Sequence, residues 1–461
     1  MPTVTSVPGV YIEEDASPAM SVSTGATAVP LFVARFTPLK SELAGVITRI
    51  GSWLDYSALF DTTVSSSASV SVTSTPVSPK SNEVKTVSAS SESATATLTD
   101  EVSGQYTYQI KDAEVLDQAA PLALQLYFQN GGGPCYLYPL EKADDKDALA
   151  ALPGLIDEVG AITLLACPDP DETYRTAVYS ALAASLGQHK GYFLLADSSD
   201  GDAPSAVTGS AQVAVYYPDV VVPYTRTLDD KQVAIAGYTD GSATVIATLA
   251  DLRPVNSELA GEIDQRLSNK KAAPLSLPPS ALMAGVYGKT DGERGVWKAP
   301  ANVVLNGVSD VSVRVTNEQQ ADLNPKGINV IRHFSDRGLV VWGCRTQEED
   351  DDDWRYIPVR RLFDAAERDI KKALQPMVFE PNSQPTWKRV QTAIDHYLYS
   401  LWQQGALAGN KAEEAYFVRV GEGITMTQDD INQGKMIIQV GMAAVRPAEF
   451  IILKFTQDMS Q

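Results

Sequence analysis

The sequence predicts a multidomain protein that combines α/β and α+β regions, and three observations lead to this class. The chain has 461 residues, more than one hydrophobic core usually supports, so two or three domains are expected. Apolar strands alternate with helices between residues 135 and 197, which is typical of a parallel sheet covered on both faces. A final α+β block, from about residue 327 to 455, runs strand, helix, helix, strand and long terminal strand.

Both ends of the chain contain short apolar strand patterns. Residues 1–30 are predicted to be an extended N-terminal arm, because they hold four prolines and show no helical period. The predicted terminal strands contain Val10, Tyr11 and Ile12 at one end and Phe450, Ile451, Ile452 and Leu453 at the other. Unpaired strands of this kind either aggregate or pair with other copies. The pattern therefore favours a polymer subunit over an enzyme.

The charge balance of the chain is acidic. There are 37 Lys and Arg residues against 57 Asp and Glu residues, a formal net charge of −20. Such a surface disfavours binding to nucleic acid or to an anionic membrane, since both carry charge of the same sign. We expect no direct membrane insertion, because no stretch approaches the roughly 18 consecutive apolar residues of a membrane span. We also expect no secretory signal, because the first residues are neither basic nor followed by an apolar core.

The three cysteines are Cys135, Cys167 and Cys344, far apart and each in an apolar context. They are predicted to be buried thiols of a protein made in a reducing cytosol. Their spacing supports neither a disulfide framework nor a metal site, so no metal and no cofactor are expected.

Residues 31–60 begin with a short strand and end with a short amphipathic helix, and a Ser/Thr-rich stretch follows at 61–117. Two interpretations of this stretch remain open: a low-complexity linker or an inserted β domain. Alternating apolar residues and a clear strand at 105–110 favour the β domain. Residues 224–276 are predicted to be a second insertion, partly helical around 257–267.

Asp169 and Asp197 each follow a predicted strand of the α/β region. Parallel sheets often bind ligands at this edge, so the two carboxylates are candidate ligand contacts. Aspartates in turns and at helix starts occupy the same positions for purely structural reasons, and that interpretation is favoured.

Two helices and a hairpin are predicted in the C-terminal block. The first helix, about 359–375, has an apolar face and a polar face that carries Arg361, Asp364, Arg368, Lys371 and Lys372. The second helix, about 386–404, has a predicted buried stripe of Trp387, Val390, Ile394, Leu398 and Leu401. Residues 416–420 and 436–442 are predicted to pair as an antiparallel hairpin.

Catalysis finds little support in the sequence. The histidines are His189, His333 and His396, and no Gly-x-Ser-x-Gly elbow or phosphate-binding loop accompanies them. The acidic run at 348–353 lacks the ligand spacing and central glycine of a calcium loop, so it is predicted to be a solvated surface loop.

A series of motifs carries a family resemblance, in matching order and spacing over more than half of the chain. The motifs are PGVYIEE (8–14), PPSALMAGVY (278–287), DGERGVWKAPAN (291–302), LNPKGINVIR (323–332), RGLVVWGCRT (337–346), VRRL (359–362), FEPN (379–382) and LWQQGAL (401–407). Together they resemble the contractile tail sheath family of myophages, R-type bacteriocins and phage-like injection particles.

The resemblance implies a sheath core made from the N-terminal arm and a C-terminal domain, with a subtilisin-like α/β domain inserted. The implied domains are an arm at 1–30, the subtilisin-like domain at 31–60 and 118–345, an outer β domain at 61–117 and the C-terminal domain at 346–461. A subtilisin-like topology raises a hydrolase alternative, which the missing nucleophile motif disfavours.

The resemblance also implies function and partners. The chain would polymerise as a helix, with other copies or sheath paralogues, around an inner tube protein, and would contract to drive that tube through a target envelope. Baseplate and tail terminator proteins would be further partners. The particle would be assembled in the bacterial cytoplasm, and it would be either a released extracellular injection particle, which we favour, or a phage tail.

The resemblance assigns two sets of residues to assembly. The terminal strands around Val10–Ile12 and Phe450–Leu453 would insert into sheets of neighbouring subunits. The family holds its tube through charged contacts from a helix of the C-terminal domain. Two interpretations of the charged residues on the 359–375 helix remain open: a solvated face, which is favoured, and a basic patch that faces the tube. In the second, which we hypothesise, this helix is the tube-binding helix, and Arg361, Arg368, Lys371 and Lys372 face the tube.

Overall fold

The computed structural model describes residues 20–76, 106–186, 190–242 and 244–450. The chain forms two compact units. One contains Ala26–Arg361, and the other contains Met1–Gly25 together with Leu362–Gln461. The border after Arg361 falls inside a helix, whereas the sequence predicted a domain border at residue 346.

The unit of residues 26–361 contains most of the strands. In chain order its elements are β1 (Pro30–Ala34), β2 (Thr48–Ile50), α1 (Trp53–Leu59), β3 (Ser65–Pro76), β4 (Tyr106–Gln118), α2 (Ala120–Gln129), β5 (Cys135–Pro139), α3 (Lys146–Val159), β6 (Leu164–Ala166), α4 (Glu172–Ala183), β7 (Phe193–Asp197), β8 (Val213–Tyr217), β9 (Val220–Val222), β10 (Val233–Ala236), α5 (Leu249–Leu252), α6 (Ser257–Ala272), β11 (Leu275–Leu277), α7 (Ser280–Arg294), β12 (Asp310–Val311), α8 (Asn317–Leu323), β13 (Ile328–Phe334) and β14 (Gly338–Trp342).

The largest sheet of this unit has the strand order β14-β13-β8-β7-β6-β1-β5-β2. Its central strands are parallel: Leu31 of β1, for example, lies opposite Tyr136 of β5 and Leu165 of β6. Strands β2 and β14 are antiparallel to their neighbours at the two edges. Helices α1, α2 and α7 cover one face, and α3 and α4 cover the other. The central strands are buried along their whole length for this reason. The predicted parallel sheet is confirmed.

Close packing of α2 against α7 depends on a glycine. A Cβ atom added to Gly285 of α7 would lie 2.3 Å from the carbonyl oxygen of Tyr127 in α2. The two helices can approach this closely only because Gly285 has no side chain. The three cysteines of the same unit are free and buried, as predicted.

The Ser/Thr-rich stretch forms strands, so the linker interpretation is wrong for residues 65–76 and 106–118. Strand β3 pairs antiparallel with β4 and parallel with β10. Helices α5 and α6 cover the apolar face of this three-stranded sheet. The second insertion predicted around residues 224–276 is therefore part of the same outer domain, because β10, α5 and α6 complete its hydrophobic core.

The C-terminal unit combines helices with a two-stranded sheet. Its elements are α9 (Ile357–Leu374), which begins in the other unit, then α10 (Gln384–Gln403), α11 (Ala412–Ala415), β15 (Tyr416–Val420), α12 (Gln428–Asn432) and β16 (Ile438–Met442). Strands β15 and β16 pair antiparallel, with Val418 opposite Val440, so the predicted hairpin is confirmed.

Candidate assembly surface

The hairpin of β15 and β16 is a sheet of only two strands. Among the residues that the structure describes, each strand therefore has one edge without a strand partner. Such an edge presents backbone N–H and C=O groups that can pair with an added strand. The hairpin is a candidate acceptor for strands from other chains.

One face of the hairpin packs on the helices of its own unit. Tyr416, Val418 and Val420 are buried, and they alternate with the exposed Phe417 and Arg419. The ring of Phe417 lies across β16 over Gly441, where an added Cβ would meet the ring at 2.2 Å. The Arg419 guanidinium stacks on the ring of Phe417, 4.7 Å from the ring centroid. Gly441 thus lets an aromatic residue cover the outer face of the hairpin.

Helix α10 supports the hairpin with an apolar stripe. Four of the five predicted stripe residues are buried, namely Val390, Ile394, Leu398 and Leu401. Trp387 is the exception: it is half-buried, and its indole N–H donates to Asn382 Oδ1 over 2.6 Å. The indole thus has a hydrogen-bond partner at the edge of the stripe.

Asp369 of α9 is an anchor that the sequence did not single out. Its carboxylate accepts hydrogen bonds from the Gly25 backbone N–H at 3.1 Å and from the Tyr397 hydroxyl at 2.9 Å. It thereby ties the end of the N-terminal segment to α9 and α10 within one unit. Burial, followed by the nearby Asp369 charge, raises the pKa of Tyr397.

The structure corrects the predicted polar face of α9 at Arg361 and Asp364, both 3% exposed. Arg361 donates to both Asp291 oxygens, at 3.0 and 2.6 Å, and to the Thr27 carbonyl at 3.1 Å. Its guanidinium also lies 4.5 Å from the ring centroid of Tyr287. Arg361 is therefore an interior ion-pair residue of the folded chain and is not available as a surface contact.

The remaining predicted tube-contact residues lie further along α9. Lys371 and Lys372 are exposed in its last turns, and Arg368 is half-buried. The two lysines therefore form a surface cationic pair in the C-terminal unit.

Most of the predicted strand-exchange residues lie outside the described part of the chain. These are Val10, Tyr11, Ile12, Ile451, Ile452 and Leu453. Phe450 is described, and 72% of it is exposed. Phe450 follows the end of β16 by eight positions in the sequence. Exposure of its large apolar side chain to water is unfavourable, so the predicted role in binding a partner remains a prediction.

The edge of the large sheet where ligands often bind is filled by an ion-pair cluster. Arg35, directly after β1, donates to Asp169 at 2.9 Å and to Asp171 at 2.8 Å. Its guanidinium also stacks over Tyr174, 4.4 Å from the ring centroid. Asp169 accepts from the Asp171 backbone N–H, and Asp171 caps the start of α4. Burial raises the pKa of Asp169 to about 6, although Arg35 opposes the shift.

Asp197 has an equivalent role at the end of β7. It accepts the backbone N–H of Ser280 at 2.8 Å, at the start of α7, and the hydroxyl of Tyr179 at 3.2 Å. Burial raises its pKa to about 7, while Arg175 and Ser280 lower it and Asp219 raises it. Both predicted aspartates thus hold loops and helix starts in place.

The residues considered for catalysis do not converge. His333 lies in the 26–361 unit and His396 in the C-terminal unit, and both are exposed, while His189 is outside the described residues. The acidic run at 348–353 is a largely exposed loop. Within the described ranges, no group of three or more His, Cys, Asp or Glu side chains is arranged to hold a metal ion. In the same ranges, no helix combines the length and apolarity that a membrane crossing requires.

Two family models match this chain in succession. The phage tail sheath protein central domain matches residues 141–347, and the phage tail sheath C-terminal domain matches residues 349–458. The chain belongs to the contractile tail sheath family. The resemblance seen in the sequence motifs is therefore confirmed.

Solved sheath proteins resemble the chain along almost its whole length. The helical sheath of the anti-feeding prophage (AFP), in its contracted state, is 70% identical, with 99% of this chain and 100% of that chain covered and a TM-score of 0.72. The contracted sheath complex of the extracellular contractile injection system PVC is 37% identical, with 99% of each chain covered and a TM-score of 0.65.

A phage relative resembles the chain over a shorter region. The tail sheath protein of Enterobacteria phage T4 is 24% identical over 245 residues, which are 51% of this chain and 35% of the T4 protein. The chain thus matches about a third of the T4 protein's length.

Proposed function

We propose that this chain is a structural subunit of a contractile sheath, which polymerises as a helix around an inner tube and contracts to drive the tube through a target cell envelope. The observation that carries the proposal is the 70% identity, over 99% of the chain, to the contracted AFP helical sheath. In such a helix each subunit contacts its neighbours through different surfaces, and repetition of that contact produces an open helix.

The hairpin of β15 and β16 is the proposed acceptor for strand exchange. The terminal segments around Val10–Ile12 and Phe450–Leu453 would add strands to the hairpins of adjoining subunits. Backbone hydrogen bonds give affinity in this recognition mode, and apolar side chains on the added strand give specificity. Because the added strand is joined to its own subunit by a linker, the connection can survive rotation of the subunit during contraction.

Contraction would draw on energy stored during assembly. The extended sheath is proposed to be kinetically trapped on its tube template. A trigger at the baseplate would let subunits rotate nearly as rigid bodies into a shorter and wider helix with more buried contact. No nucleotide is needed in this scheme, and the sheath would act as a structural protein without catalysis.

Lys371 and Lys372 are the proposed tube contacts, with Arg368 beside them. They are surface cations on one helix, whereas Arg361 is buried and no longer belongs to the set. Reversing both lysines to glutamate is expected to yield sheaths without tubes, because two attractions become two repulsions. Electron microscopy of particles would score tube occupancy. The control K142E/K146E reverses two exposed lysines of the other unit and should leave the tubes in place.

The favoured particle is an extracellular injection particle, because the AFP and PVC sheaths resemble the chain over at least 99% of its length. A phage tail is the alternative, supported by the similarity to the T4 sheath protein. Neighbouring genes distinguish the two: capsid and terminase genes indicate a phage, and an ATPase with toxin cargo indicates an injection particle. The same proposal has three further parts. The particle is assembled in the bacterial cytoplasm, the inserted domain has a subtilisin-like topology, and baseplate and tail terminator proteins are partners.

Negative-stain microscopy of the purified protein, alone and with its tube protein, tests the proposal directly. Striated tubes are the expected result. Monomers under all polymerising conditions would contradict it. A covalent serine-hydrolase probe that labels one serine would support the hydrolase alternative instead.

A further inference from the structure

The loop between α9 and α10 presents an exposed apolar tip. Val378 is 61% exposed and Phe379 is fully exposed, at 102%. They follow a short 3-10 helix, Gln375–Met377, and precede Pro381 and the start of α10. Two adjacent large apolar side chains in water are unfavourable unless a partner covers them. We call Val378, Phe379 and Glu380 the knob.

The backbone of the knob is an ordered turn. The Val378 N–H donates to the Gln375 carbonyl at 3.3 Å, and the Glu380 N–H donates to the Met377 carbonyl at 3.1 Å. Phe379 has a φ of +75°, a left-handed conformation that bulky residues rarely adopt. Unfavourable backbone conformations of this kind cluster at sites with a function. The turn holds the ring of Phe379 away from its own unit.

The same unit also carries a groove along α10. The groove has a volume of about 530 Å³, within the range of protein binding pockets. Its lining includes Met20, Pro385, Lys388, Arg389, Ala393 and His396, and the polar Ser21 and Thr392 complete it. Of these lining residues, Ala393 is buried and Lys388 is exposed. The groove thus offers apolar surface next to two permanent positive charges.

We propose that the knob of one subunit inserts into the α10 groove of a second copy of the chain. Phe379 would rest on the apolar surface near Ala393, and the Glu380 carboxylate would face Lys388 and Arg389. The knob and the groove match in two properties at once, because each combines an apolar centre with a charge of opposite sign. Full exposure of Phe379 shows that the knob does not occupy the groove of its own molecule.

This contact joins two different surfaces of identical subunits, so its repetition generates an open helix. The inference rests on the proposed sheath function and adds to it a side-chain contact that is separate from strand exchange. A buried aromatic residue at the centre of an interface is the usual energetic anchor of protein association.

Photo-cross-linking identifies what covers the knob. The full chain carries p-benzoyl-phenylalanine at position 379, which keeps an aromatic ring there, and is assembled with its tube protein. The expected product joins position 379 to a peptide of residues 385–396 from another copy. Isotopic labelling of half of the subunits separates cross-links between copies from those within one copy. Cross-links to the tube protein, or to residues 1–19 of any copy, overturn the proposal.

One variant and its control measure how much the ring of Phe379 contributes to the contact. F379G removes the ring and suits the positive φ, so the monomer should stay folded by circular dichroism. It is expected to raise the protein concentration needed for polymerisation about tenfold, as loss of an aromatic anchor does. V245A, which shortens another exposed apolar residue, should leave that concentration unchanged.

Charge exchange tests the second half of the contact. E380K and the pair K388E/R389E should each weaken polymerisation, and the three changes together should restore it. If the wild-type chain polymerises and F379G polymerises at the same protein concentration, the proposed contact is overturned and the sheath function is not. Absence of polymers in wild type, together with absence of cross-links, overturns both.

Discussion

The outer sheet β10-β3-β4 and the C-terminal hairpin β15-β16 differ in how much of their edges is covered. On β4, the Ile110 carbonyl accepts from Arg266 of α6 at 3.1 Å, and the Ala113 carbonyl accepts from Lys270 of the same helix. On β10, the Ile235 N–H donates to the Ala247 carbonyl at 2.8 Å. The hairpin has no third strand among the described residues, but Gln391 of α10 donates to the Val418 carbonyl of β15 at 3.0 Å.

The difference shows which sheet is complete within one chain. Side chains and a neighbouring segment occupy the edges of the outer sheet, which blocks pairing with other molecules. In the hairpin, one α10 side chain covers part of β15, and no strand of the described residues pairs with the outer edge of either strand. A sheath subunit needs both a covered sheet and a sheet that can accept a strand. Unspecific pairing at the outer sheet would compete with ordered assembly.

Among the changes that test this difference between the two sheets, deletion of residues 449–461 should have the largest effect, which is on assembly. The truncated chain is expected to be a soluble, folded monomer that forms no sheath tubes, because the hairpin then lacks its incoming strand. Analytical ultracentrifugation and electron microscopy measure the outcome. Deleting only residues 456–461 is the control and should preserve assembly. Long tubes from the 449–461 deletion would show that the hairpin edge is not the joint.

The second-largest effect is expected from shortening a buried side chain of α10, the helix that packs under the hairpin. Leu398 of α10 is fully buried, and L398A is expected to lower the free energy of unfolding by about 2–5 kcal/mol. Urea denaturation measures this change. Q403A, at an exposed position of the same helix, should alter stability little. A small loss for L398A would mean that α10 does not hold the hairpin through this stripe.

The stability of the 26–361 unit should depend on pH because of Asp197. Its pKa is raised from 3.8 to about 7 by burial, and Arg175, Asp219, Tyr179 and Cys167 are ionisable groups around it. The folded state therefore binds more protons than the unfolded state between about pH 4 and 7, and stability falls as pH rises through this window.

The variant D197N keeps an acceptor for the Ser280 N–H but cannot ionise. It is expected to flatten the decline in the melting temperature between pH 4 and 7, which thermal unfolding at several pH values measures. D144N, at an exposed position, is the control. An unchanged slope in D197N would assign the pH dependence to other groups.

Opening the outer sheet should have the smallest effect. The double variant R266A/K270A frees two carbonyl groups of β4 and is expected to lower stability by about 1–3 kcal/mol. It should also increase irregular self-association, which light scattering detects. Q265A on the same helix is the control. Unchanged scattering would mean that the edge is protected by other means.

Local patterns in the sequence predicted much of the fold. The period of apolar residues identified α10 and its stripe at Val390, Ile394, Leu398 and Leu401, since burial of one helix face depends on spacing along the chain. Strands β1, β5, β6 and β7 of the parallel sheet and the two strands of the hairpin were also predicted from local patterns, whereas β8 was not. The sequence motifs also indicated the family, which the matches to residues 141–347 and 349–458 confirm.

The errors came from contacts between distant parts of the chain. Arg361 has the spacing of a surface residue on α9, but its partner Asp291 lies 70 positions earlier in the sequence. The sequence predicts two separate insertions where the structure has one outer domain, because β10 pairs with β3 across more than 150 residues. A periodic pattern reports which residues share a face, and it does not report what that face will meet.

The sequence by itself determined much of the secondary structure, the family and the apolar face of α10, because these depend on neighbours along the chain. Only the tertiary structure decided which charges are buried and which strand edges are closed. Both depend on free energies of burial and pairing between segments far apart, as with Asp369, which joins Gly25 to Tyr397.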